Sequence, residues 1–356
     1  MMEKRVTIKD IAAQAGVSLG AVHCALLGKK GVGAETRQRI IKIAKDVNYL
    51  PNSSAAAIKR KQLRVAAAFP TTTNDNRFFY TAIWQGIRDF FASQADLNIR
   101  CIEVPFSGII NSYSDEITEL MDRTEIHGLI SVGFMDNRGK ISLQSLIDKD
   151  IPVILVTNDI PLSGRLCCVQ PDYRVTGRML AECITRQIPR DAGILIWAGD
   201  VLMPSHYMTV EGFDSWLSDK QLGNPLYKIH VSGAKDMDIE NIARALKQKA
   251  PAAACCINAR GSVILGNAIV ETGLAGKIVS VGCDIFEENL RFLREGVFTN
   301  LLHKNAYLQA YMASKYMVDY LVKDIRPPSD LIYVNSEIIF ESNASLCNNG
   351  FTQLLL

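Results

Sequence analysis

The sequence predicts a small all-α helix-turn-helix domain followed by a larger α/β portion of two doubly wound parallel-sheet subdomains. Three observations predict it. Residues 6–50 carry apolar side chains at helical spacing, interrupted by glycines. From residue 63 onward, short runs of Val, Ile and Ala alternate with amphipathic helical segments. Charge is divided unevenly: residues 1–62 hold 12 Lys and Arg against 4 Asp and Glu, and the other 294 hold 27 against 33. A basic head on a mildly acidic body is the electrostatic footprint of a chain that meets phosphate at one end.

The head is taken as residues 1–51. Thr7, with Asp10 three positions on, reads as a helix N-cap. Ile8, Ile11, Ala12 and Ala15 give one apolar face, and Gly16 supplies a left-handed stop. Ser18 caps a second helix, Leu19 to about Leu27, and Gly28 and Gly31 break the chain again. A third helix over 34–48 has Ile40, Ile41, Ala44 and Val47 as its inner stripe, and Pro51 ends the unit. Helix, tight turn and helix make a helix-turn-helix. Ala12 is small where the helices must approach, Val17 fills their angle, and the exposed start of the second helix at Leu19 would enter the major groove. Residues 52–62 are alanine-rich and basic, too short for a stable helix alone, and read as a hinge.

The α/β portion is taken as 63–342. Its strand candidates are Val65–Phe69, Ile99–Val104, Gly128–Val132, Val153–Val156, Gly193–Trp197, Ala253–Ile257 and Ile278–Val281, all apolar enough to be buried on both faces. Helical segments fall at 80–95, 112–124, 173–187, 207–219, 237–249, 261–273 and 305–323. So long a stretch exceeds one sheet, so two subdomains with a cleft are expected, breaking near Gln170-Pro171. The first takes about 63–170 and 303–330, the second about 171–302 and 331–342; the tail 343–356 reads as loose.

The run Val6-Thr7-Ile8-Lys9-Asp10-Ile11-Ala12-Ala13-Gln14-Ala15-Gly16-Val17-Ser18 resembles the opening signature of the LacI/GalR family of bacterial regulators. Asn48-Tyr49-Leu50-Pro51-Asn52 resembles that family's end-of-domain motif. The resemblance implies a homodimeric transcription regulator, a repressor, with a periplasmic-binding-protein-like sensor and no cofactor. It implies contact with double-stranded DNA through Thr7, Ser18, Leu19, Gly20, His23, Cys24, Lys29, Arg37, Asn52, Ala55 and Ile58, the last as an apolar minor-groove wedge. Ala21-Val22-His23-Cys24 departs from the family's Thr-Val-Ser-Arg run, so an unusual operator, read partly through shape, is expected.

Ligands in doubly wound folds sit beyond the carboxyl ends of strands. The candidates there are Asn76, Arg77, Phe78, Phe79, Thr157, Asn158, His206, Thr209, Asn258 and Asp284. Aromatic faces stack on sugar C–H surfaces, and Asn, Asp and Arg pair with hydroxyls. Asn-x-Phe-Phe resembles the ligand loop of sugar receptors, and Asp284 matches the family's Gly-Tyr-Asp aspartate. Thr209 stands where many relatives have an arginine, so the hydroxyl clamp is missing unless Arg77 or Arg260 replaces it. A carbohydrate effector is expected, with a nucleoside, nucleobase or other polar metabolite as the alternative. Phe78 and Phe79 read equally as core residues of the following helix.

Nine cysteines, two adjacent pairs among them, fit no disulfide framework and read as reduced thiols. Residues 1–10 contain no apolar run, and no stretch suits a membrane span, so a cytoplasmic protein is expected. No dinucleotide-binding, P-loop or HExxH motif occurs, and the histidines at 23, 127, 206, 230 and 303 lack metal-ligand spacing; no enzyme activity or metal is expected. A transporter's solute receptor is the lower alternative.

Overall fold

A computed structural model describes residues 6–26, 31–47, 61–107, 117–120, 122–133, 143–231 and 235–348. The head holds α1 (Ile8–Ala15), α2 (Leu19–Leu26) and α3 (Ala34–Asp46). The Thr7 N–H and hydroxyl both donate to Asp10, at 2.7 and 2.6 Å, which closes the first turn of α1. Gly16 ends α1 at φ 62°, and the Val17 N–H returns to the Ala12 carbonyl at 3.1 Å. The Ala21 N–H donates to the Ser18 hydroxyl at 3.2 Å and starts α2. Ile11, Val22 and Ile40 are fully buried between the three helices, with Ala12, Ala15, Ala25 and Ala44 allowing their approach. Ile43, rather than the predicted Ile41, joins Val47 against this core.

The first sheet contains β1 (Leu63–Pro70), β2 (Ile99–Phe106), β3 (Gly128–Val132), β4 (Val153–Val156), β5 (Cys167–Pro171) and β11 (Leu331–Val334), in the order β11-β5-β4-β3-β1-β2. The second contains β6 (Ile194–Gly199), β7 (Leu226–His230), β8 (Ala253–Cys256), β9 (Val279–Cys283), β10 (Asn300–His303) and β12 (Glu337–Ile339), in the order β12-β10-β9-β8-β6-β7. Every pairing is parallel except β10 with β12. The helices are α4 (Arg77–Ser93), α5 (Tyr173–Thr185), α6 (Pro204–Asp219), α7 (Lys235–Lys249), α8 (Ala259–Glu271), α9 (Glu287–Arg294), α10 (Ala306–Lys323) and α11 (Glu341–Asn348).

Each sheet has its own apolar core. Val65–Phe69 of β1 and all of β3 and β4 are buried under α4 and α10; β6, β8 and β9 are buried under α5, α6 and α8. Hydrophobic burial at about 25 cal/mol per Å² is what these Val, Ile and Ala runs contribute. The chain passes between the sheets three times: after β5, after β10 and between β11 and β12.

Residues 331–334 join the first sheet by pairing with β5, so the last crossing falls after Val334 and not before Leu331. The sequence predicts no separate strand at β5, β7, β10, β11 or β12 and no helix at α9 or α11. β5 has only the short run Cys167-Cys168-Val169 before Gln170-Pro171, and β7 is a half-exposed edge strand with no continuous apolar run. Residues 343–348 belong to α11, not to a loose tail. α4 begins at Arg77, so Phe78 and Phe79 stand on its first turn.

Candidate functional site

Two surfaces collect the predicted residues. The first is α2. Val22 and Ala25 face the head's core, which leaves Leu19, Gly20 and His23 exposed and Cys24 half-buried on the other side. This face is poor in hydrogen-bond donors. Arg37, half-buried on α3, adds a cation to the head. Thr7 and Ser18 have their hydroxyls engaged as helix caps. Lys29, Asn52, Ala55 and Ile58 lie outside the described residues, with all but the last two positions of the 52–62 hinge.

The second surface is formed by strand ends of both sheets. Beyond β9, Asp284 is 4% exposed and adopts φ 69°; beyond β4, Thr157 adopts φ 70°, an unusual conformation for a β-branched residue. Lys304, on the crossing after β10, fills the space between these ends. Its ammonium lies 3.3 Å from Asp284 Oδ2 and donates to the Ile257 carbonyl at 3.0 Å, at the end of β8. Its backbone N–H donates to Asp284 Oδ1 at 3.1 Å, and its Nζ stands 5.5 Å from the centre of the Phe79 ring. Burial opposes the charge on Lys304, but the neighbouring Asp284 carboxylate outweighs it and raises the pKa.

His206 sits beside this pair. The Asp200 N–H donates to Nδ1 at 3.0 Å, and the Asn258 amide nitrogen lies 3.2 Å from Nε2. Asn258 is oriented because its Oδ1 accepts the Gly261 N–H at 2.7 Å, capping α8. Burial, then the charge on Lys304, lowers the His206 pKa to about 4. Nδ1 accepts from the Asp200 N–H, so a second ring proton there would meet a donor, in keeping with the lowered pKa.

Other predicted residues take different roles. Arg77 pairs with Glu288 and Arg260 with Asp75 at 3.3 Å, so both arginines are engaged in ion pairs across the cleft. Phe78 is buried against Ala259, Val263 and Phe286, which makes it an apolar contact between the subdomains. Asn158 accepts the Ser205 N–H at 3.3 Å, linking β4 to α6. Thr157 donates to Gln309 Oε1 at 3.0 Å, and Gln309 donates to the Lys304 carbonyl at 2.8 Å. Asn76 lies half-buried in the turn before α4. Thr209 does not join the group: its hydroxyl donates to the Ser205 carbonyl at 2.6 Å inside α6, and its backbone packs on Gly177 of α5. Lys304 was not singled out from the sequence. The sequence marks it only as a charged residue shortly after the apolar pair Leu301-Leu302.

The profile of the bacterial regulatory proteins of the lacI family matches residues 7–52. That of the periplasmic binding protein domain matches residues 124–324, more than half of the chain. The chain belongs to the LacI family of bacterial regulatory proteins. As a LacI-family member it is a transcriptional regulator with a DNA-binding head and a periplasmic-binding-protein-like sensor.

Its relatives agree. It is 24% identical over 270 residues to catabolite control protein A of Staphylococcus epidermidis, covering 71% of this chain and 74% of that one. It is 27% identical over 157 residues to the probable HTH-type transcriptional repressor ExuR of Bacillus subtilis, covering 44% of each. A crystal structure from Bacteroides fragilis, described as a putative LacI transcriptional regulator, superposes with TM-score 0.72 at 16% identity, over 80% of this chain and 99% of that one. GanP, a glucose-galactose binding protein from Geobacillus stearothermophilus, superposes with TM-score 0.69 at 17% identity, over 80% and 99%. These structural likenesses establish the fold. Among the described residues, no helix of this LacI-family chain is long and apolar enough to cross a membrane.

Proposed function

We propose that this regulator is a cytoplasmic homodimeric repressor that binds a near-palindromic operator and loosens its hold when a small carbohydrate enters the sensor cleft. One observation carries the effector reading. Phe79, His206, Asn258, Asp284 and Lys304 converge from both subdomains on one place. An aromatic ring, two neutral polar groups and an adjacent ammonium and carboxylate suit a molecule with apolar C–H faces and hydroxyls that both donate and accept. GanP, a glucose-galactose binding protein, has the same fold, which supports this choice of ligand class.

On the DNA side, Leu19, Gly20, His23 and Cys24 would meet base edges, and Thr7, Ser18, Lys29 and Arg37 would meet the backbone. Asn52, Ala55 and Ile58 would form the hinge contacts, with Ile58 wedged in the minor groove. The effector would act through its differential affinity for the two cleft arrangements, and has no need of bond-making chemistry.

The test is a thermal-shift screen of the full chain against D-glucose, D-galactose, D-arabinose, D-allose, adenosine and uridine. A ligand selective for the native state raises the melting temperature. A shift with a sugar that Asp284→Asn removes supports the reading; a shift with a nucleoside alone selects the other ligand class. Shifts that Asp284→Asn leaves untouched would place the ligand elsewhere.

A further inference from the structure

The lips of the cleft carry charges in a reciprocal order. On the first subdomain, Asp75 and Arg77 lie in and just after the turn that follows β1. On the second, Arg260 opens α8 and Glu288 opens α9. Arg77 meets Glu288, and Asp75 meets Arg260 at 3.3 Å. Acid and base on one lip thus face base and acid on the other, so a closure displaced by one position would set like charges together. Arg260 is anchored on its own side by the fully buried Asp238 of α7, at 3.5 Å. Between the ion pairs sits an apolar plug. The Phe78 and Phe286 rings are 4.8 Å apart, Arg77 lies 4.3 Å over the Phe78 ring, and Ala259 and Val263 complete the seat.

We propose that these two ion pairs form a latch, so that four of the protein's own side chains set the open–closed equilibrium on which the effector acts. The inference rests on reading this cleft as the sensor. It adds that effector affinity is tuned from the rim, since the apparent affinity scales with the fraction of molecules already in the binding-competent arrangement. Exposed ion pairs contribute little to global stability. Two subdomains that stay folded in both arrangements differ by few contacts, and against so small a difference such pairs can move the equilibrium several-fold. The pairs are part-exposed, so dissolved salt screens them. The latch is therefore salt-sensitive.

The experiment uses the full chain with donor and acceptor dyes on unnatural side chains at exposed Thr72 and Leu202, read by energy transfer. The latch predicts a short distance at about 50 mM salt that lengthens as salt rises to about 500 mM. Arg77→Glu and Glu288→Arg should each lengthen it at low salt, and the R77E/E288R exchange should restore it. Arg77→Gln and Glu288→Gln serve as milder variants if a reversal lowers the melting temperature. Distances unmoved by salt and by both single variants would overturn the proposal, as would an exchange that stays open while melting like the parent. DNA binding by the same preparations keeps the two ideas apart. A chain that opens with salt but binds no DNA keeps the latch and sinks the regulator reading; the converse sinks the latch alone.

Discussion

Removing the Lys304 ammonium would leave the Asp284 carboxylate buried at the end of β9 without its counter-charge. Breaking a buried pair from one side costs about 3–5 kcal/mol, whereas replacing both partners costs far less. Lys304→Met is thus expected to lower urea-denaturation stability by that amount, and K304M/D284L to recover most of it. Equal losses in the single and double variants would show that the pair is not coupled. His206 adds a pH dependence. Its pKa in the fold, about 4, lies below its ordinary value of 6.5, so the neutral form is favoured by folding. The stability it supports is complete above pH 6.5 and is lost as pH falls from there toward 4. The loss is at most on the order of 3 kcal/mol. Denaturation of the parent and His206→Gln at pH 7 and pH 5 reads it, and the variant should lose less stability at pH 5.

At the scale of elements, α5 and α6 approach each other backbone to backbone at two glycines. A methyl group built on Gly177 would lie 1.9 Å from the Thr209 carbonyl oxygen, and one on Gly212 would lie 2.1 Å from that of Arg174. Both obstacles are backbone, so the helices must separate. Gly177→Ala should cost about 1–3 kcal/mol by thermal or urea unfolding, and a neutral result would mean the helices can slide apart freely. Nothing in the sequence marked this contact. Gly177 and Gly212 stand inside helical patterns, where glycine only weakens the expectation of a helix. The head was far more legible, because Thr7–Asp10, Gly16 and Ser18 act within a few residues of themselves. The core strands β1, β3, β4 and β8 were legible for the same reason, as continuous apolar runs. What escaped depends on partners distant in the chain. β11 is fixed by pairing with β5, some 160 residues earlier. Lys304 gains its meaning from Asp284 and Ile257. Thr209 looked like a cleft residue until α5 packed against it.

The whole molecule joins a basic head to a body whose two sheets share three crossings and a charged cleft. The 52–62 segment joins the head to β1 in the sequence, so a change in cleft angle can be passed along it, which is why that segment is expected to matter. Ile58→Asp should weaken DNA binding about tenfold or more while leaving the melting temperature of the sensor unchanged, as a mobility-shift assay and a melt would read together. The basic head also fixes the most direct test. Each phosphate neutralised by Lys or Arg releases condensed counterions, so binding must weaken steeply with salt. Anisotropy of a labelled duplex titrated with the full chain, at about 50 and about 200 mM salt, is that test. The account predicts binding that weakens at least a hundredfold between the two, with Arg37→Ala reducing the slope of log affinity against log salt by about one. No binding at the lower salt, or an affinity indifferent to salt, would contradict it.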